Sequence, residues 1–267
     1  MKELTLDELK AVEFEILKFF DAFCKENNIT YYLSHGTLLG AIRYKKFIPW
    51  DDDVDLLIPR SDYDRMIKIF KDTERYRLFA FEKDENYRYP IAKLCDMTTR
   101  KDEFGQTNGV ELGIDIDLFP LDAWDDDLDK AKKEAKYIGK NMFRLALTKL
   151  KKPDSLHPVK RFIKGIAMIL CKMRGSRYYI RRIIKASARC PEENSKYLGC
   201  KAWCVYGAKG IIPAEVFKET ALIEFEGEMF PAPKDYDTYL TCLYGNYLPE
   251  PPKEKQKTHH SFKAYRL

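Results

Sequence analysis

The sequence predicts an α/β (α+β) protein, a mixed β-sheet flanked by helices with a basic helical insertion. Three observations carry this expectation. Residues 51–58 and 113–122 each place carboxylates at every second position, largely interleaved with apolar residues, which is the period of a strand. Helical periodicity recurs over 5–28 and again through most of 126–189. Between Lys149 and Arg189, thirteen Lys and Arg residues face one acid, Asp154, although the net charge of the chain is only +5. The composition divides the chain into a core (1–125), a basic helical insertion (126–192) and a carboxy-terminal part that completes the core (193–267).

In chain order, Leu6, Leu9, Val12, Ile16, Phe19, Phe20 and Phe23 mark one apolar helix face over 5–28. Thr5 is its cap, and Glu8 stands three residues later as in a capping box. Residues 29–33 read as a short strand leading to Ser34-His35-Gly36-Thr37, after which 37–44 suit one or two helical turns. In the acidic run that follows, alternation puts Asp51, Asp53 and Asp55 on one face and Asp52 and Val54 on the other. Pro59 stops this strand and Ser61 caps a helix whose apolar face is Tyr63, Met66, Ile67 and Phe70. Residues 77–81 and 91–95 are two further strands. Residues 113–122 form the second acidic strand, with Asp115 and Asp117 on one face and Ile114, Ile116 and Leu118 on the other. Helices follow over 130–150, 158–173 and 176–189, then a strand and hairpin turn at 217–230, a helix carrying Tyr236, Tyr239, Leu240 and Leu243, and an extended proline-rich tail. In the helix 158–173, an apolar face framed by Lys160, Arg161, Lys164, Lys172 and Arg174 suits either the protein core or a membrane interface.

An apolar fraction of 45% and an aromatic fraction of 13% are ample for a packed core. No apolar run has the length of a membrane span, and the amino terminus lacks the pattern of a signal peptide. Seven scattered cysteines do not form a disulfide framework, so a cytoplasmic location is expected. The irregular spacing of Cys190, Cys200 and Cys204 is a poor zinc pattern. The acidic body with one basic arm suits contact with an anionic surface or polymer. The arm lacks a recognition motif or aromatic stacking pattern, so no nucleic-acid partner is expected.

Like charges on one strand face are unfavourable unless a cation neutralises them. Two such strands side by side can converge carboxylates on one or two Mg²⁺ ions, or Mn²⁺ in their place, since these ions take hard oxygen ligands. Gly36-Thr37 leaves room for backbone N–H groups to approach a phosphate. A glycine turn, an Asp-x-Asp strand and a third carboxylate from a neighbouring strand are the parts of a nucleotidyltransferase-like core. Here these are Gly36-Thr37, Asp53-Val54-Asp55 and Asp117. Arg43, Lys45 and Lys46 are either phosphate contacts or solvated cations. Lys93, inside a strand, is either a phosphate contact or a residue reaching out from the sheet edge. Trp50 and Tyr89 suit either the core or cation–π contact with a quaternary ammonium.

The stretch 35–43, followed by 47–55, resembles the LicD family of phosphocholine transferases, whose core is shared by fukutin-related proteins. Residues 116–122 resemble the family's second acidic motif. Phe225-Glu226-Gly227, Leu243-Tyr244-Gly245-Asn246-Tyr247, Pro251-Pro252 and His259 resemble its carboxy-terminal signature. The resemblance implies transfer of phosphocholine from CDP-choline to a sugar hydroxyl of a lipid-linked or polymeric glycan precursor, of the teichoic acid or lipopolysaccharide type, with CMP leaving. In that reading Asp53, Asp55 and Asp117 hold the metal. Gly36 and Thr37 cradle phosphate with Ser34 and His35 in reach and Arg43, Lys93 and His259 near the substrate, and Asp51 or Asp115 orients the acceptor hydroxyl or serves as its base. The basic segment would hold the enzyme peripherally at the anionic inner face of the cell membrane. Rival readings change the donor to CDP-ribitol or CDP-glycerol, or make the chain a nucleotidyltransferase acting on protein or RNA.

Overall fold

The computed structural model describes residues 1–105, 107–153, 157–188, 195–258 and 262–267. The strands are β1 (Lys2–Glu3), β2 (Tyr32–Leu33), β3 (Asp55–Pro59), β4 (Tyr76–Phe79), β5 (Ala92–Asp96), β6 (Thr99–Glu103), β7 (Ile114–Ala123), β8 (Tyr197–Gly199), β9 (Ile212–Pro213), β10 (Thr220–Phe225), β11 (Glu228–Pro233) and β12 (Phe262–Arg266). The helices are α1 (Leu6–Asn27), α2 (His35–Tyr44), α3 (Arg60–Ile69), α4 (Leu128–Lys149), α5 (Pro158–Arg174), α6 (Ser176–Ser187) and α7 (Tyr236–Tyr244).

The central sheet is mixed, in the order β2-β3-β7-β5-β4, with β8 and β9 continuing from the far end of β7. β3 and β7 run parallel, and β5 is antiparallel to β7. This register sets Asp55 opposite Asp117, and Asp117 opposite Lys93. Three charged side chains therefore stand in one row across three strands, on the same face. Leu56, Ile58, Leu94, Ile116 and Leu118 belong to the buried core, against which α1 and α3 pack. The Thr5 and Glu8 capping box forms as the sequence indicates, fixing the start of α1.

Two local expectations are corrected and two unexpected strands are added. Residues 51–54 are not strand. A turn closed by the Asp51 N–H on the Ile48 carbonyl (3.0 Å) precedes β3, which begins only at Asp55. The Lys10 ammonium pins this turn by donating to the Ile48 and Pro49 carbonyls. α3 starts at Arg60 with Pro59 in the cap position, so Ser61 lies inside the first turn. β6 and β12 pair in a separate small sheet with β1, which closes the chain ends onto the core. β6 is wholly polar, and the alternation of Phe262 and Ala264 in β12 is too short to mark a strand.

α4, α5 and α6 pack against one another, and α4 also meets the segment Gly207–Gly210. α5 buries only Met168 and Cys171, leaving most of its apolar residues exposed. Of the three cysteines considered for zinc, Cys200 and Cys204 are free thiols and Cys190 lies outside the described residues. No helix of the described residues is long and apolar enough to cross a membrane.

Asp122, the last acid of β7, is buried and accepts from Arg60 Nε at 2.7 Å. Arg60→Ala would leave that buried carboxylate without its ion-pair partner, a loss of about 3–5 kcal/mol. Chemical denaturation should show a loss of this size, and a change within error would mean that the pair contributes nothing net.

Candidate active site

The carboxylates gather where the turn after α2, the start of β3 and the middle of β7 meet. Asp51, Asp53, Asp55 and Asp117 line one cavity of about 510 Å³, together with His35, Gly36, Trp50, Phe119, Tyr206 and Tyr244. A second cavity of about 510 Å³ opens on the other side of Asp53 and Asp117, lined by Arg88, Tyr89, Lys93, Lys101, Glu103 and Lys149 among others. Trp203 and Val205 border both. Two chambers thus meet over Asp53 and Asp117, a plan that suits a two-part substrate whose reacting bond lies at the junction.

Like-charge crowding dominates the electrostatics. Carboxylate oxygens of Asp51, Asp52 and Asp53 lie within 4.8 Å of one another. Two unit charges at that spacing repel by about 3 kcal/mol when the effective dielectric constant is near 20. Asp55 is 9% exposed, and burial, then the charges of Asp53, Asp117 and Asp51, push its carboxyl well above the usual carboxylate range. A divalent cation relieves such a set, and the donors offered are all hard carboxylate oxygens. Asp52 does not line the cavity; its Oδ2 accepts from Thr258 Oγ1 at 2.6 Å. Because 51–54 form a loop, one Asp52 oxygen still stays near its neighbours, where strand alternation would have separated it.

Part of the charge is already neutralised from behind. Lys93 donates to Asp115 at 2.5 Å and also to Asp117, and Lys101 donates to Asp115 at 2.8 Å. Burial opposes the charge on Lys93, yet Asp115 and Asp117 outweigh it and hold the amine above its ordinary range. Burial likewise works against the Asp115 carboxylate, but Lys101 and Lys93 prevail and keep it ionised. Lys93 therefore sets the position and charge of Asp117, and its ammonium is engaged by carboxylates rather than presented to a phosphate. Asp115, held between two lysines, has its oxygens engaged, whereas Asp51 faces the first cavity.

The residues around the glycine turn hold the acids in place. The Asp55 N–H donates to Thr37 Oγ1 (2.8 Å), and the Ser34 N–H donates to the Asp55 carbonyl (3.0 Å). Thr37 and Ser34 are both buried and tie α2 to β3; neither lines the cavity. A β-carbon on Gly36 would meet Asp51 Oδ2 at 2.6 Å, so the glycine makes room for that carboxylate. His35, with φ of 44°, faces the cavity and stacks on Tyr206 at 5.5 Å between ring centres. Burial lowers its pKa to about 4, so the ring is neutral at physiological pH. Arg43 turns away from the site: its Nη2 donates to the Pro249 carbonyl at 2.8 Å and holds the carboxy-terminal tail. His259 lies outside the described residues.

Several site residues carried weak sequence signals. Glu13 stands on the buried stripe of α1, an acid at a core position that the helical spacing exposes to notice. Its Oε2 is buried without a hydrogen-bond partner, and burial raises its pKa well above the usual range. Lys149 ends α4 beside the second cavity, with Nζ 3.3 Å from the centre of the Tyr89 ring. Trp203 and Tyr206 lie in a segment with no motif, whereas Tyr244, whose hydroxyl meets that of Tyr206 at 2.9 Å, belongs to the carboxy-terminal signature.

Burial lowers the pKa of Lys149 from 10.5 to about 7. The unfolded chain therefore holds an extra proton between these values, and the penalty for burying the charge disappears as pH rises through that window. Lys149→Met should melt higher than the parent at about pH 6, with the difference closing toward about pH 10. An equal difference at both pH values would refute the buried charge.

Comparison with known proteins agrees with this geometry. The family model for the LicD/FKTN/FKRP nucleotidyltransferase domain matches residues 28–133, which span α2, the acidic turn, β3 and β7. A lipopolysaccharide cholinephosphotransferase LicD of Haemophilus influenzae is 31% identical, with both chains covered in full. An uncharacterised protein of Rickettsia typhi is 38% identical over 23% of this chain and 20% of its own. Mannosyltransferase regulator 4 of Saccharomyces cerevisiae is 29% identical over 38% of this chain and 8% of its own. With full-length similarity to one member and a family-model match over the acidic core, the chain belongs to the LicD family.

Proposed function

We propose that this enzyme transfers phosphocholine from CDP-choline to a sugar hydroxyl of a lipid-linked or polymeric glycan precursor and releases CMP. The observation that carries this reading is the convergence of Asp51, Asp53, Asp55 and Asp117 where the two chambers join. The full-length relative that is named for acting on lipopolysaccharide with phosphocholine supports the same reading.

Asp53, Asp55 and Asp117 would hold Mg²⁺, or Mn²⁺ in its place, and the bound cation would offset charge on the diphosphate. The chain's own residues do the rest. Lys93 fixes Asp117, and Thr37 fixes the start of β3 on which Asp55 stands. Asp51 accepts the proton of the acceptor hydroxyl. The hydroxyl oxygen bonds to the choline-bearing phosphorus as the bond from that phosphorus to the bridging oxygen breaks, and CMP leaves with the electron pair. Such transfer depends on positioning and charge neutralisation rather than on covalent chemistry by the protein. His35, Trp50, Tyr206 and Tyr244 give the first chamber an aromatic wall. The Arg88 guanidinium gives the second chamber a cation to neutralise phosphate.

Incubation with Mg²⁺ and CDP-choline, CDP-ribitol or CDP-glycerol should release CMP fastest from CDP-choline. Asp53→Asn, Asp55→Asn and Asp117→Asn should each abolish release while the protein stays folded. Preference for another CDP-alcohol would replace the donor, and pyrophosphate release from CTP or ATP would replace the reaction by nucleotidyl transfer. Gly36→Ala should displace Asp51 and lower turnover on the order of a hundredfold, with little change in melting temperature. Unchanged turnover in this variant would remove Asp51 from the proton transfer.

A further inference from the structure

α5 presents to solvent a stripe that a folded protein ordinarily buries. Phe162, Ile163, Ile166, Ile169, Leu170 and Met173 recur at helical spacing and are between 45% and 79% exposed. Only the opposite side, with Met168 and Cys171, packs into the molecule. An apolar face of this kind marks an interaction surface. The residues that frame it identify the partner. α5 carries Lys160, Arg161, Lys164, Lys172 and Arg174 and no acid. Beside it, between α4, α5 and α6, lies a groove of about 770 Å³ lined by Lys140, Arg144, Arg174 and Arg182, with no carboxylate among its described lining residues. Arg182 Nε is buried there without a hydrogen-bond partner, although Nη1 donates to Tyr178 at 2.8 Å.

We infer that this face docks on an anionic phospholipid bilayer, with the α5 stripe inserted at the level of the acyl chains and the groove taking headgroup phosphates. An amphipathic helix with apolar residues on one side and cations along its margins binds membrane interfaces in this way. A second copy of the chain is the less suitable occupant, because pairing two such faces would bring cations against cations with no acid between them. The placement also serves the reaction. Phe143 of α4 is 62% exposed and lines both the groove and the second active-site chamber, so a docked enzyme opens that chamber beside the lipid surface. A glycan anchored in the membrane would then meet the acidic cluster without leaving the bilayer.

The full chain should float with vesicles made of equal parts phosphatidylcholine and phosphatidylglycerol, and should stay at the bottom with vesicles of phosphatidylcholine alone. Phe162→Ser combined with Ile169→Ser should abolish flotation while circular dichroism and melting temperature stay at parental values, since both side chains are exposed. Lys160→Gln and Lys172→Gln, which leave the stripe intact, should each lower partitioning about fivefold. Failure of the parent chain to float would overturn the inference, as would flotation that ignores both sets of substitutions. A lipid-free dimer dissolved by Phe162→Ser would also overturn it and assign the face to self-association. The readout is independent of turnover, so it stands or falls apart from the identity of the donor.

Discussion

The parallel pairing of β3 with β7 is the constraint on which the rest of the site depends. It sets Asp55 directly opposite Asp117, and the antiparallel β5 adds Lys93 to the same row. Carboxylates so placed repel one another by several kcal/mol, a sizeable fraction of the about 5–15 kcal/mol that holds a domain together. The surrounding structure reads as a set of devices that tolerate this strain. Lys93 and Lys101 neutralise the acids from the side of the second cavity. Thr37 and Ser34 fasten the β3 backbone, and Lys10 pins the acidic turn by its carbonyls. The charge that remains faces the cavity.

The carboxy-terminal third returns to the site for a related reason. A turn carrying consecutive acids has little tendency to pack by itself, so distant segments hold it. Thr258 donates to Asp52, Arg43 fixes the tail at Pro249, and Tyr206 and Tyr244 close the wall opposite the acids. The motifs at the two ends of the chain thus belong to one cleft. Among the described residues, the basic helices between them line it along α4, through Met142, Phe143, Leu145, Ala146 and Lys149.

Much of the fold was legible because the decisive signals are periodic. The capping box of α1, the alternation of β7 and the helices of the basic segment all follow from spacing and appear as expected. The alternation of residues 51–54 misled, because a hydrogen-bonded turn through Pro49 and Trp50 outranked strand propensity there. β6 escaped notice because Thr99–Glu103 carries no apolar side chain, and β12 because Phe262 and Ala264 are too short an alternation to mark a strand. The acids of the site were readable, but the roles of their partners were not. Lys93 reads as a phosphate contact until the register shows it opposite Asp117, and Thr37 reads as a phosphate ligand until its hydroxyl is found on the Asp55 amide. Glu13 and Lys149 act through burial, which depends on tertiary packing.

The central claim is that the acidic cluster is incomplete without a divalent cation. Thermal unfolding of the full chain with and without Mg²⁺, in the absence of nucleotide, tests it most directly. A cation that binds only the folded state raises the melting temperature in proportion to the logarithm of its concentration. The account predicts such a rise for the parent chain and its loss in Asp55→Asn and Asp117→Asn, the first of which should be more stable than the parent when no Mg²⁺ is present because it relieves a buried like-charge contact. A melting temperature indifferent to Mg²⁺, or an equal rise in the Asn variants, would contradict it.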